Sequence, residues 1–108
     1  MISPLKKGNI LRERYTIRRV IGQGGMGCIY LADDLRLEGR QCAVKEVEHD
    51  RTLPKNLLKE ARDQFQREAT VLARLDHPNL PKVSDYFSIE NSDYLVMVED
   101  RLQSLDYL

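Results

Sequence analysis

The chain has 108 residues, room for one domain with a modest core. Seventeen Lys and Arg offset seventeen Asp and Glu, so the charge gives no reason to expect nucleic acid or an anionic membrane as partner. No run approaches the roughly 18 consecutive apolar residues of a membrane span, and the start, Met1 to Lys7, lacks the apolar stretch of a signal peptide; a cytoplasmic protein is the expectation.

Residues 1–14 form a lead-in. Tyr15 to Ile21 is rich in β-branched residues and ends at Gly22, which predicts a strand. Gly27 to Ala32 is a second strand, Asp33 to Arg40 a polar connection, and Gln41 to Val47 a third strand. From 57 to 75 the apolar Leu58, Ala61, Phe65, Ala69 and Leu72 recur at steps of three and four, the pattern of an amphipathic helix, which His77-Pro78-Asn79 stops. Val83 to Ile89 and Tyr94 to Val98 close the order as a strand pair joined by Glu90-Asn91-Ser92-Asp93. The order β-β-β-α-β-β predicts an α+β fold: a five-stranded antiparallel sheet with one long helix against it.

Cys28 and Cys42 have neither metal-ligand nor redox spacing and read as small core or loop residues. The functional alternative is a reactive thiol at Cys28, inside a glycine-rich loop. His49 and His77 stand apart from any Cys or acidic cluster, so no metal site is expected.

The loop Gly22-Gln23-Gly24-Gly25-Met26-Gly27 has the Gly-x-Gly-x-x-Gly pattern with a strand-like segment on each side. In a dinucleotide-binding fold the last glycine opens a helix; here Gly27 opens Cys28-Ile29-Tyr30-Leu31, a good strand start. A strand-loop-strand makes a flap whose bare amides can close over phosphate oxygens. The plain alternative is a hairpin turn, but four glycines in six residues exceed what a short hairpin loop needs.

Lys45 sits in the otherwise apolar third strand, where alternation puts it on one face with Ala43 and Val47. A lysine buried there needs a compensating anion; an edge-strand lysine reaching water does not. On the helix, Glu68 falls within the apolar arc, between Leu57/Leu75 and Ala61, away from Lys59, Asp63 and Gln66, with Glu60 and Arg67 on the solvated side. An acid and a base on facing buried surfaces predict a Lys45–Glu68 pair across the helix–sheet contact.

These motifs, with Cys42-Ala43-Val44-Lys45, Phe65-Gln66-Arg67-Glu68-Ala69, His77-Pro78-Asn79 and Tyr94-Leu95-Val96-Met97, resemble the N-terminal lobe of a protein kinase over residues 10 to 98. The Gly-Gly-Met-Gly form and the lead-in Leu11 to Tyr15 resemble the bacterial serine/threonine kinases of eukaryotic type. The resemblance implies ATP as ligand. Residues 22–27 would cover its phosphates, Lys45 would hold the α- and β-phosphates, and Glu68 would fix Lys45. Ile21, Ile29 and Ala43 would line the adenine slot, Met97 would be the gatekeeper, and the backbone of Val98 and Asp100 would meet the adenine edge. After Met97 the chain reads Val98-Glu99-Asp100, which departs from the family's usual acidic-aromatic-aliphatic run, and residues 99–108 no longer follow the pattern.

No His-Arg-Asp-x-x-x-x-Asn segment or Asp-Phe-Gly occurs up to Leu108. The resemblance places the catalytic base, the magnesium ligands and the protein-substrate platform there, so the expectation is a lobe truncated before its catalytic loop and incompetent alone. Phe65, Leu72, Leu75 and Met97 are then expected to lie bare and to promote self-association. The competing readings are a non-catalytic nucleotide-binding or interaction module and, disfavoured by the strand after Gly27, a dinucleotide-dependent oxidoreductase.

Overall fold

A computed structural model describes residues 5–24, 27–37, 39–75, 78 and 82–98. The elements are β1 (Ile10–Leu11), β2 (Tyr15–Gln23), β3 (Gly27–Asp34), β4 (Gln41–Glu48), α1 (Lys55–Arg74), β5 (Val83–Ile89) and β6 (Ser92–Val98). All pairings are antiparallel, in the order β1-β2-β3-β4-β6-β5. The expected α+β architecture is present with one strand more than predicted. The addition is β1, which folds back on β2 because Arg12 and Glu13 take φ of 52° and 56°. No glycine marks that turn.

Strand alternation sorts the apolar residues onto two faces. Tyr15, Ile17, Cys28, Tyr30, Cys42, Val44, Phe87, Tyr94 and Val96 build the core of one face, Ala43, Leu95 and Met97 the other. The first face closes on itself because the sheet curls. β2 and β5 are not neighbours in the sheet, yet the Tyr15 and Phe87 rings stack at 5.9 Å and the Tyr15 hydroxyl donates to Asp85 Oδ2 at 2.6 Å. Two register irregularities in β2, at Ile17/Arg19 and Val20/Gly22, add the local twist that such curling needs.

The second face receives α1, which packs on β5 and β6. Ala69 is buried, Leu58, Ala61, Phe65 and Leu72 are half-buried, and the Phe65 ring lies 5.6 Å from that of Tyr86. Of the four residues expected bare, Leu75 is (43% exposed), together with Leu57 and Val71. Met97 corrects the expectation: at 1% exposure it is core, because β6 runs between β4 and β5 and turns Met97 under the helix. Phe65 and Leu72 are likewise partly covered.

The β5–β6 turn is two residues shorter than predicted, being Glu90, at φ 53°, and Asn91. β6 starts at Ser92 because Asp93 is buried, where it accepts from the Ser88 hydroxyl and pairs with His49 Nε2 at 2.6 Å. Among the described residues no helix is long and apolar enough to cross a membrane.

Candidate functional site

The glycine loop joins β2 to β3, and Gly24 N–H donates to Gly27 O at 2.9 Å to close it. Gly27 begins a strand, not a helix, which excludes the dinucleotide-fold geometry. Gly27 pairs with Val47, and a Cβ built on it would stand 1.7 Å from Glu46 O. The last glycine is therefore required by the close approach of β3 to β4. A Cβ at Gly24 would meet nothing within 4 Å, so that position keeps its backbone bare toward open space.

β3 in turn brings Lys45 to the loop. Lys45 is paired with Ile29, two residues from the Gly27–Val47 pair, a step of about 7 Å along the strand. Lys45 is half-buried, and it lines a cavity of about 520 Å³ with Gly22, Gly24, Gly27, Ile29 and Phe65. Gln23 borders the same cavity. The lysine thus lies on the helix-facing side of β4, as strand alternation predicted.

The other expected site residues spread from this point. Ile21 packs half-buried against the helix-facing cluster that contains Ala43 and Met97, on the face that Ile29 shares. Val98 N–H is taken by Lys82 O at 3.0 Å, so a contact from Val98 to a ligand would come from its carbonyl. Gly25, Met26 and Asp100 lie outside the described residues. Glu68 requires correction. It is exposed, its Oε1 accepts from Gln64 Nε2 at 3.4 Å, and a Lys45–Glu68 bridge is not among the ion pairs of the described residues. The physical reason is the placement of α1, which leans on β5 and β6 and turns Phe65 toward the cavity.

Three buried polar groups escaped the sequence because their partners are distant in the chain. Glu46, on the face away from the helix, accepts from Tyr30 at 2.8 Å and Tyr94 at 2.6 Å, and Tyr30 also accepts from Leu5 N–H at 3.0 Å. Burial foremost, then the Glu46 bond, raises the Tyr94 phenol above its ordinary value; burial raises Tyr30 likewise. Arg14 grips Asp34 with Nε and Nη2, both at 2.9 Å, which holds the carboxyl below the usual range. His49 bolts the end of β4 to β6 through Asp93. Cys28 and Cys42 are buried in the core, and burial pushes the Cys42 thiol up to about 12. Among the described residues no group of three or more His, Cys, Asp or Glu could hold a metal ion.

Residues 15–107 match the family model described as "Protein kinase domain". The chain belongs to the protein kinase family. It is 38% identical over 93 residues to Serine/threonine-protein kinase B of Synechocystis sp., covering 82% of this chain and 16% of that protein. It is 37% identical over 90 residues to Serine/threonine-protein kinase PrkC of Bacillus subtilis, covering 83% and 13%. The chain thus spans less than a fifth of the length of these two relatives. Among solved structures it resembles the Mycobacterium tuberculosis PknI kinase domain, as the C20A_R136A double mutant, with TM-score 0.69, 28% identity and coverage of 90% of this chain and 36% of that one. It also resembles the apo form of PpkA-294, with TM-score 0.74, 28% identity and coverage of 89% and 38%. The curled sheet with one helix is the N-lobe of that fold, and both relatives named here are bacterial serine/threonine kinases.

Proposed function

We propose that this chain is the ATP-binding lobe of a serine/threonine protein kinase. The observation that carries the reading is the 520 Å³ cavity bounded by the bare backbone of Gly22, Gly24 and Gly27 on one side and Lys45 on the other. A glycine backbone without side-chain bulk and the Lys45 cation lining one space fit a polyphosphate, which needs positive charge and close approach. Ile29 and Ile21, beside the loop on the same face, fit the apolar adenine.

Bound ATP would supply the phosphoryl group that the complete enzyme transfers to a protein Ser or Thr, with magnesium bridging the phosphates. In this chain the loop amides would bind the phosphates, Lys45 would orient the α- and β-phosphates, and Met97 would limit the depth of the adenine slot. The 108 residues contain no His-Arg-Asp or Asp-Phe-Gly segment to supply a base or magnesium ligands. Assayed alone, they are expected to bind nucleotide weakly and to transfer no phosphate, since losing even one electrostatic partner costs orders of magnitude in rate.

Titration of the purified chain with ATP in a calorimeter tests the binding, and a radiolabelled-phosphate assay tests the transfer. Weak binding, lowered about tenfold or more by Lys45→Met as one charge-assisted contact is lost, supports the reading. Binding indifferent to Lys45 contradicts it. Turnover that vanishes in Lys45→Met would contradict the expected incompetence.

A second reading, an interaction module, draws on the exposed Leu57 and Val71 of α1 and Leu75 just past its end. Apolar side chains grouped on one helix favour association. Concentration-dependent sedimentation abolished by Leu57→Gln with Leu75→Gln, and no nucleotide binding, would favour that reading over the first.

A further inference from the structure

β4 carries Lys45, yet the apolar residues of β4 do not fix where the strand sits along its own axis. None of its eight residues is exposed: Cys42 and Val44 join the core inside the curled sheet, and Ala43 joins the helix-facing cluster. Alternation decides which face each side chain takes. A displacement by two residues keeps every side chain on its own face, and burial on both faces does little to oppose it. That displacement would carry Lys45 about 7 Å past the glycine loop. A buried polar group that finds its partners in one alignment and loses them in the others settles such a choice.

Glu46 is that group. It follows Lys45 directly, is 5% exposed, and turns its carboxylate to the face away from the helix. Oε1 accepts from Tyr30 of β3 at 2.8 Å and Oε2 from Tyr94 of β6 at 2.6 Å, so each flanking strand holds one oxygen. Tyr30 accepts from Leu5 N–H at 3.0 Å, which leaves its own proton for Glu46. In a displaced alignment an apolar side chain such as Val44 would stand there, and the buried phenols would lose their acceptor. The main chain of the same residue meets the loop, since Glu46 O is the atom that a Cβ on Gly27 would strike. His49 and Asp93 also tie β4 to β6, but beyond the end of the strand and without a hold on β3. We propose that Glu46 is a positioning residue of the nucleotide site: held by one phenol from each flanking strand, it fixes β4 along its axis and so sets Lys45 opposite the glycine loop. The inference rests on the nucleotide reading of the cavity.

Glu46→Leu combined with Tyr94→Phe in the 108-residue chain tests this. The pair replaces the acid and one donor by apolar groups of similar size, while Tyr30 keeps Leu5 N–H and the Cys28 thiol as partners. Exchanging both members of a hydrogen bond for apolar groups is nearly neutral for stability, so the melting temperature is expected to stay within a few degrees. A merely structural role would then leave binding untouched. The proposal expects ATP affinity, by calorimetry, to fall about tenfold, as when one molecule in ten keeps Lys45 in place. It also expects the backbone amide signals of Ala43 to Val47 to double or broaden. Glu46→Gln, whose amide can accept from one phenol and donate to the other, is expected to keep a single set of signals and most of the affinity. A single sharp set of β4 signals in the double variant overturns the proposal, as does an ATP affinity within about twofold of the unmodified chain's. Should the double variant fail to fold, Tyr94→Phe alone, which releases β6, is judged by the same two outcomes. If the unmodified chain binds no ATP, the nucleotide reading fails separately, and the amide signals still decide whether Glu46 fixes β4.

Discussion

Substituting Gly27 with alanine adds one methyl group at the tightest approach in the site. Its Cβ would sit 1.7 Å from Glu46 O, 2.8 Å from the attached carbon and 3.2 Å from Val47 Cα, all main-chain atoms that cannot swing aside. Bringing the first contact to 3.0 Å requires β3 and β4 to part by about 1.3 Å, the difference between the two distances. Overpacking of this kind costs about 1–3 kcal/mol, and a ladder hydrogen bond lost at the strand end adds about 1 kcal/mol. For a domain of this size the resulting loss of about 2–4 kcal/mol lowers the melting temperature by roughly 10–30 °C. Gly24→Ala, with nothing within 4 Å of its Cβ, is the internal control and is expected to shift it by no more than a few degrees. Circular dichroism melts of the two variants beside the unmodified chain measure the difference. A Gly27→Ala melt within about 2 °C of the control would refute the claim that this glycine serves strand packing as well as the loop.

Two further outcomes follow from the buried polar groups. Tyr94→Phe removes the donor to Glu46 Oε2 in a site where Glu46 is 5% exposed, so about 1–3 kcal/mol is lost; the urea midpoint should fall by roughly 1 M, and an unchanged midpoint would count against the clamp. Asp34 has its folded-state pKa depressed, chiefly by the Arg14 hydrogen bond, so its contribution is complete above the ordinary carboxylate value of about 4 and disappears as pH falls through the lower folded-state value. Asp34→Asn should lower stability near pH 7 and flatten the acid limb of stability against pH; an acid limb as steep as that of the unmodified chain would contradict this.

What was legible in the sequence is what depends on local pattern. The β-branched runs located β2 to β6 within two residues, and the three- and four-residue spacing located α1 within two at each end. The glycine loop and Lys45 line one cavity, a proximity that strand order and alternation suffice to produce. β1 was not legible, since Arg12 and Glu13 reach positive φ with no glycine or asparagine to announce a turn. Nor were Glu46 with Tyr30 and Tyr94, or His49 with Asp93, whose partners lie 16 to 48 residues apart. Glu68 failed for a different reason. The helical pattern states which residues share a bearing, and the packing partner decides which bearing faces the sheet.

The central claim is that the space between the glycine loop and Lys45 receives a nucleotide. Backbone amide NMR of the isotopically labelled chain, titrated with ATP, tests it most directly. The account expects saturable shifts concentrated at Gly22 to Gly24, Gly27 to Ile29 and Ala43 to Lys45, and much reduced in Lys45→Met. Shifts gathered instead around the separate hollow lined by Asp33, Leu35, Gly39 and Gln41, or no shifts at saturating ATP, would contradict it.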